Sequence, residues 1–341
     1  MQISDLGEFP LIDRINEIVS TERSDVVVGI GDDVAVLVSD ADGDDLILAT
    51  VDSQVEDIHF LRDLITPKQL GRRALAINLS DIAAMGGRPQ YALVSLALPS
   101  DTEVTWVKAL YRGLREEGDR FETAIVGGNM ASSSGQAFID VCVLGRVSRR
   151  HLLLRSGAQV HDKVLVTGHL GDAAAGLAVA LDPHLPVTAS ERDALLSRYL
   201  VPEPRLPESA IIARSDLATA MIDVSDGLSS DIGHICDRSQ VGVRLWAERL
   251  PISLAARHVA ELTDKPVWQF PLGASDDYEL CFTVPPDAAE DLMVHIQRKT
   301  AAPVTIIGEI LPAEKGRQLI LEGGERISLE AKGWQHFAPE T

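Results

Sequence analysis

Three cysteines are all that the 341 residues contain. Cys142, Cys236 and Cys281 lie far apart, form no Cys-x-x-Cys pair and each sit in an apolar run. A disulfide framework is therefore excluded, and small buried residues in a reducing compartment are expected. Aromatic residues are also scarce, at 4%, so an exposed ring is informative. Basic charge is in deficit: 31 Lys and Arg stand against 51 Asp and Glu, a net charge of −20. That balance argues against nucleic acid and against an anionic membrane as partners. It does not exclude anionic phosphates, which divalent cations can bridge to acidic side chains. No run approaches the ~18 apolar residues of a membrane span. The first twenty residues lack the basic stretch and apolar segment of a signal peptide, so a cytoplasmic protein is expected. No Gly-Lys-Ser/Thr phosphate loop occurs, nor does the protein-kinase set of Gly-rich loop, His-Arg-Asp and Asp-Phe-Gly. There is no repeat of fixed period and no low-complexity tract.

What is present is an ordinary globular composition, 45% apolar and 24% charged, in a chain long enough for two cores. Apolar spacing predicts a helix from Phe9 and strands over 26–30, 34–38 and 46–52. A long helix follows in "TPKQLGRRALAINLSDIAAMGG", with Thr66 as its N-cap and Pro67 at its first position. Strand, helix, strand, strand continue over 91–99, 101–118, 123–128 and 137–147. A second series begins with a strand at 163–168 and mixes helices and strands to 311. The strands of the first half do not alternate strictly with helices, which argues against a plain doubly wound sheet. The expected class is α/β in the α+β sense. The link at 148–160 divides the chain into residues 1–148 and 149–341.

The acids are not evenly spread. "VVVGIGDDVAVL" sets Asp32 and Asp33 after an apolar strand and a Gly-x-Gly turn, where strands disfavour Asp and like charges repel. "ATVDSQVEDIHF" ends a strand at Asp52. In "NLSDIAAMGG", Asn78 and Asp81 share one face of a mostly apolar helix. "MIDVSDGL" carries Asp223 and Asp226 at the end of a buried-looking strand. "GASDDYEL" adds Asp276 and Asp277. Each has a plain alternative: a turn for Asp32–Asp33 or Asp52, an exposed helix position for Asp81, an N-cap for Asp226. Together, five acidic motifs at element ends suit a site holding several Mg²⁺ ions, which take carboxylate and phosphate oxygens. Asp33, Asp52, Asp81, Asp223 and Asp226 could supply the ligands. "VGGNMASSSG" and "TGHLGDAAAG" read as glycine loops that could approach phosphate, with tight turns and close packing as the alternative. His59 and Trp334 are the polar and aromatic residues that stand out near these motifs. A Trp face suits a flat organic cation, and docking of the chain end is the alternative for Trp334.

These motifs, ten in register along nearly the whole chain, resemble those of the thiamine-monophosphate kinases, in the superfamily of aminoimidazole-ribonucleotide synthetase and selenophosphate synthetase. The matching stretches include "LGEFPLI", "GIGDDVA", "TVDSQVEDIHF", "AINLSDIAAMGG", "RSGA", "DVSDGLSSD", "DDYEL" and "KGWQHF". The resemblance implies a two-domain fold, a homodimer formed through the N-terminal domains, and an active site in the cleft between the domains. It implies transfer of the γ-phosphoryl group of ATP to thiamine monophosphate. Asp33, Asp52, Asp81, Asp223 and Asp226 then look like magnesium ligands, joined by Thr50, Val51 and Asn129. Tyr111, Gly128, Asn129, Arg155 and Ser225 look like ATP contacts, and His59, Asp276 and Trp334 like substrate contacts. Three positions depart from the family pattern. Val51 replaces a common Thr, Asn129 replaces an Asp, and Asp276 stands one methylene shorter than the usual Glu. Two rival readings are a selenophosphate synthetase-like ATPase and a nucleotide-binding regulator without turnover; a synthetase acting on a purine precursor is a third, from which "DVSDGL" and "KGWQHF" point away. The absence of Cys from the first 141 residues argues against the first, and His59 with Trp334 against the second.

Overall fold

A computed structural model describes residues 7–19, 23–39 and 44–329, together with Ile3, Thr21, Gly333 and Trp334. Most of the "KGWQHF" stretch, Lys332 and 335–337, lies outside the described residues.

The first half builds one six-stranded sheet. Helix α1 (Glu8–Val19) precedes β1 (Val26–Val28), β2 (Ala35–Val38) and β3 (Asp45–Val55). Helix α2 (Pro67–Ala84), β4 (Arg88–Pro99), α3 (Val104–Arg120), β5 (Ala124–Ser133) and β6 (Phe138–Ser148) follow. The strand order is β1-β2-β3-β6-β4-β5, antiparallel except for the parallel β4–β5 pair. Burial alternates along β3, β4 and β6, as a sheet with one covered face requires. Leu46, Leu48, Val94, Leu96, Ile139 and Val141 face inward, onto α2 and α3. The outward face carries Val51, Cys142 and Leu93 in one register row. Cys142 is thus half-buried on this face and not in the core, unlike Cys236 and Cys281.

The second half builds a seven-stranded sheet. Its elements are β7 (Lys163–Thr167), α4 (Asp172–Leu181), α5 (Ala189–Leu200), α6 (Leu206–Arg214), β8 (Ala220–Val224), α7 (Leu228–Ser239) and β9 (Val241–Trp246). They continue with α8 (Leu254–Leu262), α9 (Gln269–Leu272), β10 (Glu279–Val284), α10 (Ala289–Thr300), β11 (Val304–Pro312), β12 (Arg317–Ile320) and β13 (Arg326–Ser328). The order is β13-β12-β9-β11-β7-β10-β8, with only β12–β9 parallel. β8 and β10 are buried at every residue because helices cover both faces. Val164 and Val166 pack in a cluster with residues of α4, α7 and α8, and Leu165 in one with residues of α6 and α10.

Helix α2 joins the halves. It is capped by Thr66 and Gln69 in a reciprocal pair. Thirteen of its residues are buried because it touches the first sheet on one side and the second half on the other. Ala83 and Ala84 belong to the cluster under the second sheet, while Ala173, Tyr199 and Leu200 join the first core.

Candidate active site

A cleft of about 650 Å³ runs between the two sheets. Its floor follows from α2 lying against β3. Alternation turns Thr50, Asp52 and Gln54 of β3 toward α2. Helical spacing turns Arg73, Ile77, Asn78 and Asp81 toward β3. Thr50 Oγ1 donates to Asp81 Oδ2 at 2.6 Å, and the Asp52 amide donates to Asn78 Oδ1 at 3.0 Å. From the other side, Ser80 Oγ donates to Asp223 Oδ2 at 2.6 Å, which fixes the end of β8 against the same helix.

The loop before β2 completes the cluster. Asp32 accepts the Asp33 amide at 3.0 Å and the Arg155 amide at 3.3 Å, so it shapes the turn. Asp33 faces inward. Its Oδ1 accepts from Arg155 Nε at 3.1 Å, while its buried Oδ2 has no hydrogen-bond partner. Carboxylate oxygens of Asp33, Asp81 and Asp223 lie within 4.8 Å of one another. Three such groups in a water-poor site repel unless protonated or bridged by a cation. Burial, with Asp33 beside it, pushes Asp223 up to about 8. Burial and Asp33 push Asp52 up to about 6. Burial, then Asp52, Asp223 and Asp33, hold Asp81 well above the carboxylate range. Burial, then Glu8 and Asp276, push Asp226 up to about 7. The unpartnered oxygen and the all-oxygen donor set fit a hard divalent cation such as Mg²⁺.

Of the residues named from sequence, Asp33, Thr50, Val51, Asp52, His59, Asp81, Arg155, Asp223, Ser225, Asp226, Asp276 and Trp334 all line the cleft. The Val51 side chain points outward and is 62% exposed. His59 Nδ1 accepts the Val55 amide at 3.1 Å. The Trp334 amide donates to the Asp226 carbonyl at 3.0 Å, which ties residue 334 to the turn that carries Asp226.

Tyr111, Gly128 and Asn129 are not among the cleft-lining residues of this chain. Tyr111 is half-buried on α3 against the first core. Residues 126–133 of the predicted glycine loop at 126–135 are strand, because β5 pairs in parallel with β4 from Tyr91–Ala124 to Pro99–Ser133. Gly128 is needed there for the backbone: at φ 153°, a Cβ would fall 1.8 Å from the Val94 carbonyl oxygen. Asn129 sits in register with Ser95, Asp140 and Ser53. The other glycine loop, "TGHLGD", has its helix start occupied already. Asp277 accepts the Gly171 amide at 2.6 Å and the Ala173 amide at 3.2 Å, so the anion at the N-terminus of α4 is the protein's own.

Sequence reasoning passed over Arg73 and Asp231. Asp231, 2% exposed, accepts the Gly227 amide at 3.0 Å and braces the turn holding Asp226. Arg73, Ile77 and Asp81 stand at i, i+4 and i+8, a stripe that the basic "GRR" run concealed.

Fold and site define a class. Residues 31–147 match the family model described as AIR synthase related protein, N-terminal domain, and residues 159–319 match its C-terminal domain. Within that class, the thiamine-monophosphate kinase of Escherichia coli K12 is 38% identical over 97% of this chain and 98% of its own length. That of Bacillus subtilis 168 is 35% identical over 97% and 100%. A solved structure of AaThiL complexed with AMPPCP and TMP superposes with a TM-score of 0.83, at 32% identity, over 98% of this chain and 99% of that one. The chain belongs to the thiamine-monophosphate kinase family.

Proposed function

We infer that this chain phosphorylates thiamine monophosphate with ATP, giving thiamine diphosphate and ADP. The observation that carries the chemistry is the Asp33–Asp81–Asp223 cluster with its unpartnered Asp33 oxygen. Near-full-length likeness to kinases of that name, and to a relative solved with AMPPCP and TMP, supports the substrates.

We assign Mg²⁺ to the acids. Asp33, Asp52, Asp81, Asp223 and Asp226 would hold it, with the Thr50 hydroxyl and the Val51 carbonyl beside them. Bound there, divalent cations neutralise phosphate charge and orient the donor. The chain's own part is placement. Arg155 sets a guanidinium beside the acids for phosphate oxygens, and Ser225 adds a hydroxyl on the second-sheet side. The acceptor phosphate is already largely ionised near neutral pH, with a second pKa of ~6, so no general base is required. Direct in-line transfer follows from two anions aligned in one cleft. Beside them, Trp334 would offer a ring face, and Asp276 a carboxylate, to the thiazolium cation.

The finer organisation belongs to the same reading. Residues 1–148 and 149–341 form the two domains, and the first-sheet strands, all within 26–148, support that boundary. A homodimer is supported by the outward face of the first sheet, where Tyr91 and Leu93 are exposed with Val51, Val126 and Met130. Gly128 and Asn129 lie on β5 at the edge of that sheet, so they would meet ATP from this side. Among the described residues no helix is long and apolar enough to cross a membrane. The three free thiols support a cytoplasmic location.

Phosphorus NMR of the protein with ATP, Mg²⁺ and thiamine monophosphate tests the reading. Thiamine diphosphate with stoichiometric ADP is expected. ADP with free phosphate would replace the kinase by an ATPase, and no ADP despite bound ATP would leave a regulator.

A further inference from the structure

Arg73 is a charged side chain only 3% exposed, and none of the assignments above uses it. Its guanidinium reaches three separate elements. Nε donates to Gln54 Oε1 at 3.1 Å on β3. One terminal nitrogen donates to the Tyr199 carbonyl at the end of α5. The other meets Asp276 Oδ2 at 3.0 Å, in the loop before β10. Its carbon also stands 5.4 Å from the Tyr199 ring centroid. A buried guanidinium is tolerated only when its donors are satisfied, and here each partner comes from a different part of the chain.

The partners matter because of what they sit beside. Gln54, itself 3% exposed, is two residues from Asp52 on the same face of β3. Asp276 stands near enough to Asp226 to raise its pKa, and it is the carboxylate assigned above to the thiazolium. Its Oδ1 accepts from the Tyr278 hydroxyl at 3.2 Å, so Arg73 and Tyr278 together fix the carboxylate plane. Tyr278 holds its place through a left-handed backbone, φ 52°, and a hydrogen bond of 2.7 Å that its amide donates to the Val224 carbonyl. Arg73 therefore links the strand that carries Asp52 to the carboxylate assigned to the thiazolium.

We propose that Arg73 is a positioning residue for the phosphate acceptor, holding Asp276 at a set distance and orientation from the acid cluster. The proposal rests on the assignment of Asp276 to the thiamine end of the substrate. It acts through Asp276 and so governs the acceptor, not the nucleotide.

The test is the steady-state kinetics of Arg73→Met, Arg73→Lys, Asp276→Asn and the Arg73→Met/Asp276→Asn double variant, with thermal melting of each. Arg73→Met should raise KM for thiamine monophosphate by about tenfold, the effect of one charge-assisted hydrogen bond. KM for ATP should stay within about twofold. The double variant should be little worse than the poorer single one, because both break the same contact. Arg73→Lys, which keeps the charge but not the three-way fork, should fall between wild type and Arg73→Met and should melt near wild type. If Arg73→Met does not fold, the Lys variant carries the test through the same KM split. Equal rises in both KM values, additive single effects, or an unchanged acceptor KM would overturn the proposal. Failure of the kinase reading looks different, since the wild-type protein would then make no thiamine diphosphate.

Discussion

Removing divalent cations should make this protein less stable as pH rises from 5 to 8, opposite to the usual gain of a protein whose carboxylates are paired. Asp81, Asp226 and Asp52 act in the same direction, and the scale is worked from Asp223, which is 2% exposed and pushed up to about 8 by burial and Asp33. Below about pH 4 it is protonated in folded and unfolded chains alike, and stability does not depend on it. Above that, the unfolded chain releases the proton while the folded chain keeps it until about pH 8. The folded state binds more protons throughout that window, so unfolding free energy falls with rising pH. One proton retained over about four pH units amounts to roughly 6 kcal/mol. Relaxation and water entry reduce such penalties to several kcal/mol, and about half of the window lies below pH 6. We therefore expect a loss of about 3 kcal/mol between pH 5 and 8. At about 2–4 °C per kcal/mol for chains of this order of size, the melting temperature should drop by roughly 6–12 °C. Calorimetry in EDTA across this range checks it. Millimolar Mg²⁺ should flatten the slope, stabilising strongly at pH 8 and weakly at pH 5. Asp223→Asn keeps an acceptor for Ser80, so in EDTA at pH 8 it should melt above wild type. A metal-free melting temperature that is level or rising from pH 5 to 8 would refute the argument, as would an equal Mg²⁺ effect at both ends.

Asp52→Asn and Asp226→Asn should each lower kcat by at least about a hundredfold, the scale of losing electrostatic support for phosphoryl transfer. His59→Ala should cost less than about tenfold, and equal losses in a steady-state assay would sink the metal-centred reading. Trp334→Ala should raise KM for thiamine monophosphate several-fold, more than that for ATP, by removing a ring face worth about 1 kcal/mol to a cation; an unchanged KM places the indole outside the site. Gly128→Ala should destabilise by about 2–3 kcal/mol, since its Cβ overlaps the Val94 carbonyl, and urea unfolding that shows no change would contradict the β4–β5 register.

Periodicity carried most of the fold. Helix α2 begins where its signals predict, with Thr66 as N-cap and Pro67 as its first residue. What escaped had no such pattern. β12 and β13 are four and three residues of mixed polarity, and they exist because the sheet edge supplies partners. β5 runs on past Gly128 to Ser133, where the sequence reads as a glycine loop, because β4 supplies a parallel partner along that whole length. The acids of the cleft were legible because Asp is costly at the end of a buried strand or on an apolar helix face. Arg73 was not, because a basic residue on a helix looks solvent-bound until three partners from elsewhere are seen to close over it.

The two Asp-Asp pairs show why adjacency in sequence says so little about shared duty. In each pair one carboxylate serves the backbone and the other the cleft. Asp32 accepts amides of Asp33 and Arg155, while Asp33 faces Asp81 and Asp223. Asp277 accepts amides of Gly171 and Ala173, while Asp276 meets Arg73 and Tyr278. A doubled acid next to a turn thus divides its two charges between two environments. The backbone-bound member spends its lone pairs on fixed amide donors and makes the loop rigid. That rigidity is what lets the other member stand against like charges without swinging away to water. A cleft that must crowd carboxylates before a cation arrives thus needs acids outside the crowd to hold those within it.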